Sequence, residues 1–209
     1  MIREIDGSLI APDKLLSSRD MAKLGCGDCA GCSDCCRGRA EAITLDPVDV
    51  RLLKEGLNLS FEGLLDRGLI FLTVVDGAVL PALSMKRSTD PLEPSITRND
   101  EEECVFLDTS GRCSIHPFRP GICRMFPLAR LWKEDGSFAY FVQEGECSRG
   151  AGVKMRISKW LGYPNIRAYE DEIRRYHDAL STLRGQLKTG LSHEEQVGLE
   201  RQFLTTWFM

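Results

Sequence analysis

The 209 residues include 43% hydrophobic side chains, with 27 Lys and Arg set against 31 Asp and Glu for a formal charge of −4. That is chain enough for one domain with a real core and a small appendage. The near balance of charge argues against a nucleic-acid partner, which needs a basic field to displace phosphate counterions, and no run approaches the roughly 18 apolar residues of a membrane span.

The opening stretch MIREIDGSLIAPDKLLSSRD has acids where a secretory leader would be basic, and it lacks an apolar segment. The expected location is the cytoplasm, where thiols stay reduced. Residues 1–22 read as an N-terminal arm. CGDCAGCSDCCRG follows at 26–38, and Gly25, Gly27, Gly31 and Gly38 leave its backbone free to wrap around a centre. Gly25-x-Gly27-x2-Ala30 imitates a dinucleotide fingerprint, but no strand precedes it.

Asp46-Pro47-Val48-Asp49 predicts a helix start, with Val50, Leu52 and Leu53 inward and Gly56 as its end. A short helix from Ser60 follows, with Phe61, Leu64 and Leu65 apolar and Gly63 inside it. Residues 69–75 predict a strand, Asp76-Gly77 a tight turn, and Ala78 to Met85 a return strand that Pro81 confines to an edge. Residues 86–103 read as loop, with Glu101-Glu102-Glu103 a solvated run. Cys104 to Asp108 reads as a short strand before a Thr-Ser-Gly-Arg turn and Cys113. The three prolines of 115–127 forbid a continuous helix. A hairpin pairs 128–132 with 138–142 around Glu134-Asp135-Gly136, and Cys147 follows in a turn.

Ile166, Tyr169, Ile173, Tyr176, Leu180, Leu183 and Leu187 step by three and four, the mark of one apolar helix stripe. Gly190 ends that helix, and Ser192-His193-Glu194-Glu195 is a capping box for the next. The stripe fits core packing or, alternatively, a homodimer through the C-terminal helices. His177 and His193 are expected at the surface. The expected fold class is α+β: a small, loop-rich, metal-organised domain of β-hairpins and short helices over 23–150, then a helical hairpin over 151–209.

Nine clustered cysteines in a reducing compartment point to metal or redox chemistry rather than a disulfide framework. Cys29-x2-Cys32-x2-Cys35 has the spacing that wraps iron–sulfur clusters, and paired Cys-x2-Cys knuckles also build zinc sites. Either needs a remote fourth thiol. Cys104, Cys113, Cys123 and Cys147 supply candidates, and Cys36 brings the plausible ligands to eight, enough for two centres. Cys35 and Cys36, as neighbours, are expected to point apart and to serve different centres; Cys26 is the spare. His116 is a nitrogen-ligand candidate beside a simpler reading as a hydrogen-bonded loop residue. A Cys113–His116 nucleophilic pair lacks an orienting acid. Arg37, Arg119 and Arg124 either steady the thiolates or make ordinary ion pairs.

Four linked motifs, Cys29-x2-Cys32-x2-Cys35-Cys36-Arg37, Cys104-Val105-Phe106-Leu107-Asp108 with Gly111-Arg112-Cys113, Arg119-Pro120-x2-Cys123-Arg124-x-Phe126-Pro127, and Cys147, resemble the YkgJ-like cysteine-cluster family. The resemblance covers about 26–147 and implies chelation of zinc or iron, often as an iron–sulfur cluster. His116 departs from the family's usual tyrosine, and Cys26 lies outside its usual set. The flagellin lysine methylase carries a similar cluster, but its activity is not carried over to a chain of this length.

Three readings follow. The first is an iron–sulfur protein, 4Fe–4S favoured, that transfers electrons or senses redox state, with Cys29, Cys32, Cys35 and Cys123 on the cluster and the other thiols in a second site or redox pair. The second is a zinc-organised structural or interaction module; the third is a cluster-dependent enzyme of unknown reaction. The expected partner is a redox carrier or another protein.

Overall fold

The computed structural model describes residues 10–24, 33–37, 43–87, 102–145, 147 and 152–209. Cys26, Cys29 and Cys32, most of the glycine-rich loop, and the turn residues Pro91, Pro94 and Asn99 lie outside the described residues. Short helices alternate with two-stranded antiparallel sheets, and a long helical pair closes the chain, an α+β arrangement as expected.

Helix α1 (Pro47–Leu57) begins where the sequence says. Asp46 accepts from the Asp49 N–H while the Asp49 side chain accepts from the Asp46 N–H, a reciprocal box that satisfies two orphan donors. Its end differs from expectation. The helix runs past Gly56 and closes on Asn58, whose φ of 53° is left-handed. Gly56 serves packing instead: a Cβ there would fall 2.5 Å from the Phe118 ring, so its absence lets the loop between Cys113 and Cys123 lie against α1. Helix α2 (Phe61–Asp66) is capped by the Ser60 side chain, which accepts from the Gly63 N–H.

Strands β2 (Ile70–Val75) and β3 (Ala78–Leu83) form the hairpin that Asp76-Gly77 announces. Both turn residues have positive φ, the geometry that matches strand twist. Pro81 faces the outer side of this two-stranded sheet, where its carbonyl accepts from the Leu45 N–H beside an isolated bridge between Thr44 and Ala82.

Past Leu83 the chain departs from expectation. Instead of one long return strand and a loop, β4 (Met85–Arg87) pairs with β5 (Glu102–Cys104), setting Lys86 opposite Glu103 and Arg87 opposite Glu102. Such short polar strands have no apolar alternation to reveal them. Nor are Glu102 and Glu103 a solvated run, because both are half-buried. The strand ends at Cys104; beyond a turn, a single bridge joins Leu107 to Cys113 around the Asp108–Arg112 turn.

Strands β6 (Leu128–Trp132) and β7 (Phe138–Val142) make the expected hairpin. Three further elements carry no signal in the sequence. Strand β1 (Met21–Leu24) pairs with β8 (Val153–Arg156), and the short helix α4 (Ile157–Leu161) follows directly. Four-residue strands at opposite ends of the cysteine-bearing region hold too little local pattern to be seen. Between β5 and β6 the three-proline stretch holds a 3-10 turn (His116–Phe118) and helix α3 (Gly121–Met125).

Helix α5 (Ile166–Leu187) buries Tyr169, Ile173, Tyr176, Leu180 and Leu183 of the predicted stripe within the chain, with Ile166 and Leu187 at its ends half-buried. His177 is half-buried rather than at the surface, stacked on Trp132 with ring centroids 3.6 Å apart. Helix α6 (His193–Phe208) starts at the Ser192 box. One core joins Leu53 of α1, Phe61 and Leu64 of α2, the β2–β3 hairpin, Cys104, Leu107 and Ile115 to Tyr176, Leu180, Phe203 and Phe208. The helical pair therefore packs on the same core as the cysteine-bearing segments. Among the described residues no helix is long and apolar enough to cross a membrane.

The Ser192 cap yields a local prediction. Ser192→Ala removes the acceptor of the Glu195 N–H and is expected to cost about 1 kcal/mol. Urea unfolding would register it, and amide exchange should quicken in the first turn of α6 but not in α5.

Candidate metal centre

Four separate segments bring thiols together. Cys35 and Cys36 sit on a 3-10 turn (Asp34–Cys36), closed by the Cys36 N–H donating to the Ser33 carbonyl at 2.8 Å. Their sulfurs are 4.0 Å apart. The expectation that they point apart fails because neighbours on a 3-10 turn diverge by about 120°, not by the half-turn of a strand. Arg37 laces this segment to β5: its guanidinium meets Glu103 at 2.9 Å, its Nε donates to Ser33 Oγ, and its backbone bridges Glu103. Of the two readings for Arg37, the structure supplies the ion pair.

Cys104 ends β5 and is buried in the core. Cys36 and Cys113 pack against that same core from its margin. Cys113 is set by its bridge to Leu107, and the Ser114 N–H returns to the Phe106 carbonyl. His116 contacts the Arg119 guanidinium, which in turn favours ionisation of Cys113.

Cys123 lies in the middle of α3, and α3 is pinned at several points. Arg124 donates to the Pro117 carbonyl at 2.8 Å and lies over the Tyr163 ring. The Trp160 Nε1–H donates to the Met125 carbonyl, and the Gly121 N–H to the Asp49 carboxylate. Cys147, the sixth described thiol, is half-buried on the segment that Gln143 ties to Pro127 just past α3.

The thiols feel one another. Its contact with Cys35 is the largest influence on Cys36 and pushes it far above a free thiol; burial, Cys104 and Cys123 add to the effect. Burial pushes Cys123 up, with contributions from Cys104, Cys35, Asp49 and Cys113. Burial likewise raises Cys113, and Cys35 contributes. Clustered thiols resist ionising together because each new negative charge repels the next. A bound cation reverses that balance, since thiolates are what a soft metal binds. The donor set therefore suits zinc or iron. Among the described residues, no three His, Cys, Asp or Glu side chains close into a metal-holding set by themselves. Cys29 and Cys32 lie outside the described residues.

The model of the CxxCxxCC domain, described as "Putative zinc- or iron-chelating domain", matches residues 28–148, more than half of the chain. The protein belongs to the CxxCxxCC family. Within this CxxCxxCC domain fall Cys29, Cys32, Cys35, Cys36, Cys104, Cys113, Cys123 and Cys147, while Cys26 precedes it. Membership supports metal binding in general terms, with zinc or iron as the metal. No curated protein and no solved structure matches the chain.

Sequence reasoning places Asp49 only in a helix start. In the structure Asp49 is 2% exposed and reaches the backbone of the Cys123-bearing helix. The local signal is an acid three residues after an N-cap acid, which predicts a cap but not burial.

Proposed function

We propose that the CxxCxxCC domain holds an iron–sulfur cluster, 4Fe–4S favoured, and serves electron transfer or redox sensing with a redox or protein partner. Cys29, Cys32 and Cys35 would bind it in the C-x2-C-x2-C manner, with Cys123 as the remote fourth ligand. Cys36, Cys104, Cys113 and Cys147 would form a second metal site or a redox pair. The observation that supports this reading is the gathering of Cys36, Cys104 and Cys113 on one core, with the Cys35 sulfur 4.0 Å from that of Cys36. When bound, such a cluster supplies a one-electron redox couple. The chain's own contribution is to bury and orient the thiols: the Arg37–Glu103 pair ties the first motif to β5, and Arg124 ties α3 to the loop before it.

Zinc is the second reading, since a structural zinc site needs four soft ligands and paired Cys-x2-Cys knuckles such as Cys29-x2-Cys32 build one. Anaerobic purification followed by metal and acid-labile sulfide analysis separates the two. Iron and sulfide in comparable amounts, with a broad visible absorption that bleaches on reduction, support the cluster. Colourless protein with bound zinc and no sulfide refutes the cluster in favour of zinc.

A further inference from the structure

We infer that Asp49 is a positioning residue of the metal centre, an internal carboxyl group that docks helix α3 and so sets where Cys123 stands. The inference rests on the reading of Cys123 as a ligand.

Asp49 and Ser18 are the buried polar residues among those described. Burying a carboxyl group is costly unless its oxygens are bonded, and an apolar side chain would fill the space without that cost. Both Asp49 oxygens are in use. Oδ2 accepts from the Asp46 N–H at 3.1 Å and belongs to the cap of α1. Oδ1 reaches across 72 residues to accept from the Gly121 N–H at 2.6 Å. Gly121 is the first residue of α3, and the cap position before it, Pro120, offers no side-chain acceptor. The start of α3 therefore draws its acceptor from another helix, across a short bond.

The contact leaves no slack. A Cβ on residue 121 would stand 2.9 Å from the Tyr169 hydroxyl oxygen and 3.3 Å from both Asp49 Oδ1 and the Tyr163 hydroxyl oxygen. The two tyrosine rings are stacked with centroids 3.8 Å apart, and Arg130 donates to the Tyr169 hydroxyl. Gly121 is thus seated in a rigid notch two residues before Cys123. The other end of α3 is held through the Met125 carbonyl by Trp160. With both ends fixed, the backbone that carries Cys123 is held in place. Groups that orient metal ligands from behind commonly change metal affinity by 10–100-fold, roughly, when replaced.

The test uses the full chain in three variants. Asp49→Asn removes the carboxylate, Gly121→Ala disturbs the same contact from the other side, and Asp46→Ala weakens the α1 cap while keeping the backbone N–H that Asp49 accepts. Two measurements are made: the rate of metal loss to EDTA from the metal-loaded chain, and the rate of iodoacetamide labelling of Cys123 relative to Cys104 in the chain as purified. Asp49→Asn and Gly121→Ala should each lose metal about 10-fold faster or more and label Cys123 faster, with Cys104 unchanged. Asp46→Ala should resemble the parent in both. The inference is overturned if Asp49→Asn merely matches Asp46→Ala, or if Cys123 and Cys104 become reactive together. A parent chain that carries no metal would refute the metal reading, whereas the labelling ratio decides the role of Asp49 by itself. Should Asp49→Asn fail to fold, Gly121→Ala decides alone: faster labelling of Cys123 over unchanged Cys104 supports the inference, and parent-like labelling overturns it.

Discussion

Cys32→Ser protein is expected to emerge from anaerobic purification depleted of metal and to unfold at much lower urea, while Cys26→Ser keeps both metal and stability. A thiol-bound structural metal couples binding to folding, at about 10–16 kcal/mol for zinc peptides, against a typical domain stability of about 5–15 kcal/mol. Removing one of four ligands should therefore take several kcal/mol and leave much of the loop-rich region without an organising centre. Cys26 provides the contrast because it precedes the family match while Cys32 lies within it. Metal analysis and urea titration on both variants check this; equal metal content in the two would refute the assignment of ligand and spare.

Phe61→Ala is expected to cost about 3–5 kcal/mol, the usual loss for a buried aromatic. Phe61 is 1% exposed and faces Phe208 with ring centroids 6.1 Å apart, so it joins α2 to the last helix. The same core holds Cys104 and packs against Cys36 and Cys113. The helix signal and metal release should therefore shift to lower denaturant together, along one transition. Circular dichroism and a metal-sensitive dye followed in the same titration would show it. Two separated transitions would mean that the C-terminal helices and the cysteine region do not share their stability.

The elements visible in the sequence are those whose cause lies within a few residues. Asp46 and Ser192 announce helix starts because a cap bonds three residues ahead. Asp76-Gly77 announces a hairpin because the turn needs positive φ at two successive positions. The period of α5 announces its buried stripe. The end of α1 misleads because Gly56 reads as a terminator, whereas its missing side chain makes room for Phe118, from a distant loop. Strands β1, β4, β5 and β8 escape because three or four residues hold too little pattern and their partners lie far along the chain. The half-buried place of Glu103 has the same cause, since its pairing with Arg37 and β4 brings it in.

By itself the sequence determined the chemistry on offer: thiols at two-residue gaps, remote thiols bounded by turns and prolines, and a family pattern that takes in eight of them. Those are covalent and short-range facts, independent of how the chain closes. Which distant cysteine-bearing segments share one core was decided by the tertiary structure, through β4–β5 pairing, the Leu107–Cys113 bridge and the Gly121–Asp49 bond that holds α3. The difference is one of range. Spacing and caps act over a turn of backbone, but the company a sulfur keeps depends on burial and on hydrogen bonds between segments tens of residues apart, which no local pattern encodes.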